Sequence, residues 1–320
     1  MVRILRDADL EGLLPLERVV ALMEEGYALD ARRDVVPFPR RRLDARGAHL
    51  AWQGAAVPPA DALGFRAYLY GDAGGDRGEQ LTALWDHRSM ALRALFVGRR
   101  VGDLRTGAAL AAAVRLAEPG VRSIGLLGTG GTARSALASL RAALPLDHVT
   151  VWSPTAAHRR AFVAAGRSGP GPAIEEADSV AAVLRAAPVV VLATAADQPV
   201  VTRSLAPEPR LFASIRAYRF PEIDLPLLDA APAIWTDSVE QATGPETLLA
   251  SDARRAKVRP LGHGLEDGAL RDRSGHRFVI NTGAAWQEVL LGRALADAAA
   301  AEDRGVELEL PAGPDEAPPR

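Results

Sequence analysis

The spacing of apolar positions changes period twice along this chain. Over residues 16–29, Val19, Val20, Leu22, Met23 and Tyr27 recur at the spacing of one helix face, behind Asp7 and Asp9, which mark a helix start. Residues 49–52, 64–70, 81–85 and 93–97 then form shorter segments of strand character, punctuated by Gly and Pro. Successive strands with few helices between them predict a mainly antiparallel sheet. From about residue 121 to 261 the pattern differs. Continuous apolar runs at 123–127, 148–152, 189–193, 211–215 and 233–236 alternate with helical stretches, and a helix over 108–117 leads into the first of them. That alternation predicts βαβ units and a parallel sheet. Beyond residue 278 the chain returns to helix over 285–304. Its last residues, PAGPDEAPPR, are Pro-rich and polar and predict a disordered tail over 311–320.

The parallel region opens on a motif with chemistry. Residues 123–133 read SIGLLGTGGTA, a buried strand followed by G-x-G-x-x-A at Gly128, Gly130 and Ala133. The first Gly permits the tight turn, the second lets the backbone approach a pyrophosphate, and Ala133 lets helix pack closely on strand. Thr129, Gly131 and Thr132 complete the loop, and the helix over 132–143 directs its positive end at the phosphates. A second strand follows at 148–152, so this segment predicts a Rossmann-type unit that binds NAD(H) or NADP(H). NAD sites usually carry Asp or Glu at the end of that second strand. Here Ser153 and Thr155 follow, with Arg159 and Arg160 close behind and no carboxylate, which favours NADP(H) over NAD(H).

Composition narrows the remaining classes. The chain has 320 residues, enough for two domains, and a formal net charge of −2, which gives no argument for nucleic acid or an anionic membrane. It has no Cys, which removes thiolate nucleophiles and cysteine metal sites, and its six His show no ligand spacing, so no metal is expected. The N-terminus carries charges throughout and lacks an apolar signal region, and no apolar run reaches membrane-spanning length. A cytoplasmic protein is the expectation.

The motifs, in their order, resemble the ornithine cyclodeaminase/mu-crystallin family. Leu104-Arg105-Thr106-Gly107-Ala108-Ala109 at a helix start, IGLLGTGGTAR, VTVWSPT, VVLATAADQPV, PEIDLPLLDAAPAIWTDSVEQA and FVINTGAAWQEVLLGRAL all find counterparts there, over about residues 5–310. The resemblance implies an α/β architecture. A Rossmann-type domain over residues 106–279 binds the coenzyme. A second α+β domain, built from residues 1–105 and 280–310, binds substrate and forms a homodimer. It also implies that Arg105 binds a substrate carboxylate, that Thr106 contacts the coenzyme phosphates, and that Thr194 and Ala195 lie beside the coenzyme. Arg40 or Arg41 would be a second carboxylate-binding Arg, and the run of three arginines leaves both open.

Two departures matter. Where the family has a catalytic Lys after Gly-hydrophobe, this chain has Gly64-Phe65-Arg66, and where an Asp is usual the alignment places Arg216. Arg keeps the charge but does not give up a proton near neutral pH. Ornithine cyclodeamination is therefore disfavoured. Arg66 and Arg216 become the candidate catalytic groups, with Tyr68, His87 and Tyr218 as possible proton sources. The expected activity is NADP(H)-dependent hydride exchange with an imine or amine carbon of a small carboxylate, in specialised metabolism. The alternatives are a coenzyme- and ligand-binding protein without turnover, and a cyclodeaminase using substitute groups.

Overall fold

A computed structural model describes residues 1–71, 79–167 and 171–309. The expected tail over 311–320 lies outside the described residues. The chain begins with β1 (Val2–Arg6) and α1 (Leu16–Ala31), then a run of strands, β2 (Val36–Ala45), β3 (Ala48–Val57), β4 (Ala62–Gly71), β5 (Gln80–Asp86) and β6 (Leu92–Val97). The long α2 (Arg100–Ala117) carries it to β7 (Ser123–Leu127), α3 (Gly131–Ala143), β8 (His148–Trp152), α4 (Ala156–Gly166), β9 (Ala173–Glu176), α5 (Val180–Ala186), β10 (Val189–Leu192) and β11 (Leu211–Ser214). There follow α6 (Leu225–Ala230), β12 (Ile234–Thr236), α7 (Val239–Ala242), α8 (Asp252–Arg255), β13 (Val258–Pro260), α9 (Leu261–Glu266) and β14 (Arg277–Ile280). Finally α10 (Trp286–Ala301) and β15 (Val306–Leu308) return to the first sheet.

Two sheets result. The first has the order β15-β1-β6-β5-β4-β3-β2 and unites both ends of the chain. It is antiparallel except where β1 runs parallel to β6. The second has the order β13-β12-β14-β11-β10-β7-β8-β9 and all its ladders are parallel. Its central strands are largely apolar, as a sheet covered on both faces requires; Val189 to Leu192 are fully buried. This is the α/β architecture expected, a Rossmann-type parallel sheet with a second α+β unit.

The alternation of β4 decides what the first sheet presents inward. Ala62, Gly64 and Arg66 share a buried face, on which α10 packs with Val289 against Gly64. Apolar positions fill that face near one end of β4, and Arg66 and Tyr68 continue it toward the other. α2 lies between the sheets, packed on α1, α3 and α10. It begins at Arg100, a turn earlier than a start at Leu104, so Arg105 and Thr106 sit inside the helix rather than at its cap.

Three features depart from expectation. β2 has no strand pattern, because VPFPRRRLDA holds two Pro and four charges; as an edge strand it needs partners on one side only. Its register on β3 shifts between Phe38 and Arg41, so Pro39 and Arg40 together oppose Gln53. Such a bulge re-aims a side chain, and here it turns Arg40 inward. The short β9, β13 and β15 and the strands β1 and β14 complete the sheets beyond the predicted segments.

Candidate functional site

In the parallel sheet the order reverses direction between β10 and β7, the point at which open α/β sheets bind ligands beyond the strand ends. Gly128 stands there with φ +117°, and a Cβ on it would lie 2.3 Å from Ala193 O. Gly128→Ala is therefore expected to cost about 1–3 kcal/mol from the backbone conformation alone. A lower Tm with weakened coenzyme binding is the readout. Above Gly130 and Gly131 a Cβ would meet nothing within 4 Å, so the loop faces open space. No side chain caps α3, which leaves its first N–H groups available to an anion. The loop thus has the shape and the donors that a dinucleotide pyrophosphate requires. Thr132 is half-buried and Ala133 is buried against the strands.

At the end of β8, Thr129 Oγ1 donates to Ser153 Oγ at 3.2 Å. Thr155 is exposed at the start of α4 without capping it. Arg159 reaches back to Ser153 O at 2.6 Å and stands 3.6 Å from Glu176, and its buried Nε has no hydrogen-bond partner. After β10, Thr194 is fixed by the fully buried Glu222. Thr194 N and Oγ1 donate to Glu222 Oε1 at 2.9 and 2.7 Å, and Ser214 Oγ donates to Oε2 at 2.6 Å. Glu222 thereby ties the end of β10 to that of β11. Ala195 is exposed beside Thr194.

A cavity of about 1070 Å³ lies between the two sheets, lined by residues of β2, β4, α2, the segment after β11, α7 and the turn before α10. One wall of it is formed by Arg66 and Arg105, which rest on a cluster of buried polar groups. Glu288, in the first turn of α10, accepts from Arg66 Nη1 at 2.9 Å and lies 2.8 Å from Arg105 Nε. Gln53 Nε2 donates to its second oxygen at 3.3 Å. Arg66 also donates to Gln80, and its Cζ sits 4.7 Å from the ring centroid of Tyr68. Arg105 Nη1 donates to Gln287 Oε1 at 3.3 Å. Burial pulls the Arg66 pKa below its ordinary value, with Glu288 opposing that and Arg105 adding to it.

Arg40 joins the cluster from the bulge of β2. It donates to Gln53 Oε1 at 3.1 Å, to the Tyr218 hydroxyl at 3.2 Å and to Thr282 O at 3.1 Å. Burial works against its charge, but Tyr218, Tyr68 and Glu288 outweigh it and raise its pKa. Arg41 turns outward, more than half exposed and 3.8 Å from Glu240. Both line the cavity, but only Arg40 enters the buried cluster.

The turn that receives Arg40 is itself built on a carboxylate. Asp237 Oδ1 accepts from Thr282 N at 2.6 Å and Thr282 Oγ1 at 2.8 Å. Its Oδ2 accepts from Gly283 N, Ala284 N and Gln287 Nε2 at 2.8, 2.9 and 2.8 Å. Behind it, Asn281 Nδ2 donates to the Tyr27 hydroxyl at 2.6 Å. Burial first, and Asp237 second, push Asp30 up to about 6, with His263 opposing. A carboxyl with a raised pKa stabilises the fold below its unfolded value and loses that contribution as pH rises through its folded value. Asp30→Asn removes this titration. The variant is expected to exceed the parent by about 2–3 kcal/mol at about pH 8, the gap closing below about pH 4, in denaturant titrations.

The structure thus brings Arg40, Arg66, Tyr68 and Arg105 together. Arg216 stands on the opposite wall, stacked on Phe220 at 3.9 Å, and its Nη1 reaches Thr194 O at 3.5 Å. There the cavity wall touches the end of β10. Thr106 also lines the cavity, but its hydroxyl donates to Gly102 O at 2.7 Å, so it is left to accept rather than donate. His87 lies in an exposed turn after β5, away from the cavity lining. Sequence reasoning missed Glu288, Gln53, Asp237 and Glu222. The signal for Glu288 is a charged residue inside WQEVLLGRAL: a helix apolar on all sides is buried, and a buried charge needs a partner.

Comparison with known proteins shows the family and the fold. The model of the ornithine cyclodeaminase/mu-crystallin family matches residues 70–258. No curated protein matches the sequence. Among solved structures, the Δ1-pyrroline-2-carboxylate reductase of Thermococcus litoralis, in complex with NADH and L-proline, superposes with a TM-score of 0.82 at 17% identity, covering 96% of this chain and 100% of its own. The iminosuccinate reductase of Paracoccus denitrificans, in complex with NAD+, gives 0.83 at 21%, over 97% and 99%. A lysine cyclodeaminase, studied for recognition of L-lysine, L-ornithine and L-2,4-diaminobutyric acid, gives 0.78 at 27%, over 97% and 95%. With one family model spanning more than half of its length, the chain belongs to the ornithine cyclodeaminase/mu-crystallin family.

Proposed function

We propose that the protein is an NADP(H)-dependent reductase or dehydrogenase that exchanges hydride with an imine or amine carbon of a small carboxylate. The observation that carries this reading is the contact of Arg216, on the wall of a cavity lined by Arg66 and Arg105, with Thr194 O at the end of β10, next to the residue that Gly128 of the glycine loop packs on. Residues 106–279 are the coenzyme domain, and residues 1–105 with 280–310 are the substrate and dimerisation domain. The exposed Val36, Phe38 and Leu43 on edge strand β2 and Leu63 and Leu69 on β4 support pairing with a second copy.

The dinucleotide would be held by Gly128–Ala133, by Ser153, Thr155 and Arg159 at its 2′-phosphate, and by Thr194 and Ala195; when bound it supplies or accepts the hydride. A guanidinium has five N–H groups. Glu288, Gln287 and Gln80 occupy only part of those on Arg66 and Arg105, and the rest can receive a substrate carboxylate. With a neutral imine, Arg66 also stabilises the negative charge that grows on nitrogen as hydride reaches its carbon. It donates no proton, which instead enters with a protonated imine or comes from the Tyr68 or Tyr218 hydroxyl. The printed names of the reductases above, which act on pyrroline-2-carboxylate and iminosuccinate, support the reaction class.

The replacement of Lys by Arg66, already committed to Glu288 and Gln80, favours a second reading, binding of coenzyme and ligand without turnover. Oxidation of NADPH and NADH in the presence of cyclic and linear imino acids separates the two. Stoichiometric amine formation, faster with NADPH, is expected. Coenzyme that is bound but never consumed would leave the second reading.

A further inference from the structure

Seven arginines line the cavity, Arg40, Arg41, Arg42, Arg66, Arg105, Arg216 and Arg219. Three have an acid of their own: Arg41 with Glu240, Arg42 with Asp44, Arg219 with Glu246. Arg66 and Arg105 share the single carboxylate of Glu288. Arg40 is satisfied by neutral acceptors. Arg216 has no acidic partner among the described residues; it is half-buried, its Cζ lies 3.9 Å over the Phe220 ring centroid, and the one hydrogen bond of its guanidinium is to a carbonyl at 3.5 Å. Stacking fixes the plane of a guanidinium while leaving its edge free for bidentate contact. One carboxylate on Arg66 and Arg105 would leave the charges of Arg40 and Arg216 unmatched; Arg40 spends its donors on Gln53, Tyr218 and two carbonyls, so Arg216 is the one left open to a second anion.

Resting on the reading of the cavity as a carboxylate-imine site, we propose that its ligand is a dianion: an imino or amino acid with a second carboxylate, bound by Arg216. The first carboxylate lies on Arg66 and Arg105 and the second crosses the cavity to Arg216. Arg216 is thus the residue that separates dicarboxylates from monocarboxylates.

The test uses the full chain loaded with NADPH, or with NADH if that binds better, titrated with aspartate and with alanine, which differ by one carboxylate. Quenching of bound-coenzyme fluorescence is read. Aspartate is expected to bind at least about tenfold more tightly, as one charge-assisted contact implies. Arg216→Leu should bring that ratio close to one. Arg216→Lys should restore part of it, and coenzyme binding by each variant verifies folding. Equal binding of the two amino acids by the parent, or a preference that survives in Arg216→Leu, overturns the proposal. A parallel assay follows coenzyme oxidation with oxaloacetate plus ammonium and with pyruvate plus ammonium. An aspartate preference without oxidation of either mixture sinks the reductase reading and leaves the dianion site standing. Faster oxidation with the pyruvate mixture sinks the dianion site and leaves the reductase.

Discussion

Glu288→Ala is expected to destabilise the fold by about 3–5 kcal/mol, because it leaves two buried guanidinium groups facing one another without a counter-charge. Arg66, Arg105 and Glu288 are each nine-tenths buried or more, so water cannot take over the lost role. The two arginines would separate, and the carboxylate site they form would open with them. Chemical denaturation should show the loss of stability, and kcat/KM for an imino acid should fall with it. Glu288→Gln separates charge from shape. Its amide oxygen can still accept from one arginine, but the net charge of the cluster rises by one and the amide N–H groups face donors. A smaller loss of stability than in Glu288→Ala, with a comparable loss of turnover, is the expected pattern. Wild-type stability in Glu288→Ala would show that the cluster is not the unit described.

Asp237→Asn is expected to be nearly as damaging as Asp237→Ala. Each carboxylate oxygen of Asp237 accepts from at least two donors. An asparagine amide has one accepting oxygen only, so in either orientation its NH2 meets N–H groups of the 282–284 turn or Gln287. The buried donors left unsatisfied cost at least about 3 kcal/mol together. The functional consequence passes through Arg40, which is held by the carbonyls of Thr282 and Gly283. A turn that moves releases Arg40, so affinity for carboxylate ligands should fall while coenzyme binding at the glycine loop holds. Both are measured by titration of the same preparation. An Asp237→Asn variant as stable as the parent would mean that the turn holds its shape without the carboxylate.

The parallel sheet was legible because its evidence is local. A strand buried on both faces is apolar along nearly its whole length, as Ser123–Leu127 is, and the alternating burial of His148–Trp152, with Val149 and Val151 inside, bounds the next strand. The glycine loop was legible for the same reason. The edge strand β2 was not, because Pro37, Pro39 and three consecutive arginines hide its period; its pairing with β3 and not its own sequence makes it a strand. The same bulge decides between Arg40 and Arg41, a choice the run of arginines left open. Glu288 escaped notice because its partner Arg66 is 222 residues away in sequence. Charge pairs of that separation have no periodic signature. Thr106 shows the converse: a residue picked out by its motif, whose hydroxyl the structure finds already bonded to its own helix.

The ends of β7 and β10 are expected to hold a nicotinamide dinucleotide next to the arginine-lined cavity. Energy transfer from tryptophan to bound NADPH or NADH tests it most directly, since the chain has five Trp and Trp152 closes the strand beside the glycine loop. Saturable transfer is predicted, tighter with NADPH, and lost in Gly128→Ala. Absence of transfer and of any other binding signal with both coenzymes, in a folded preparation, would contradict the account at its base.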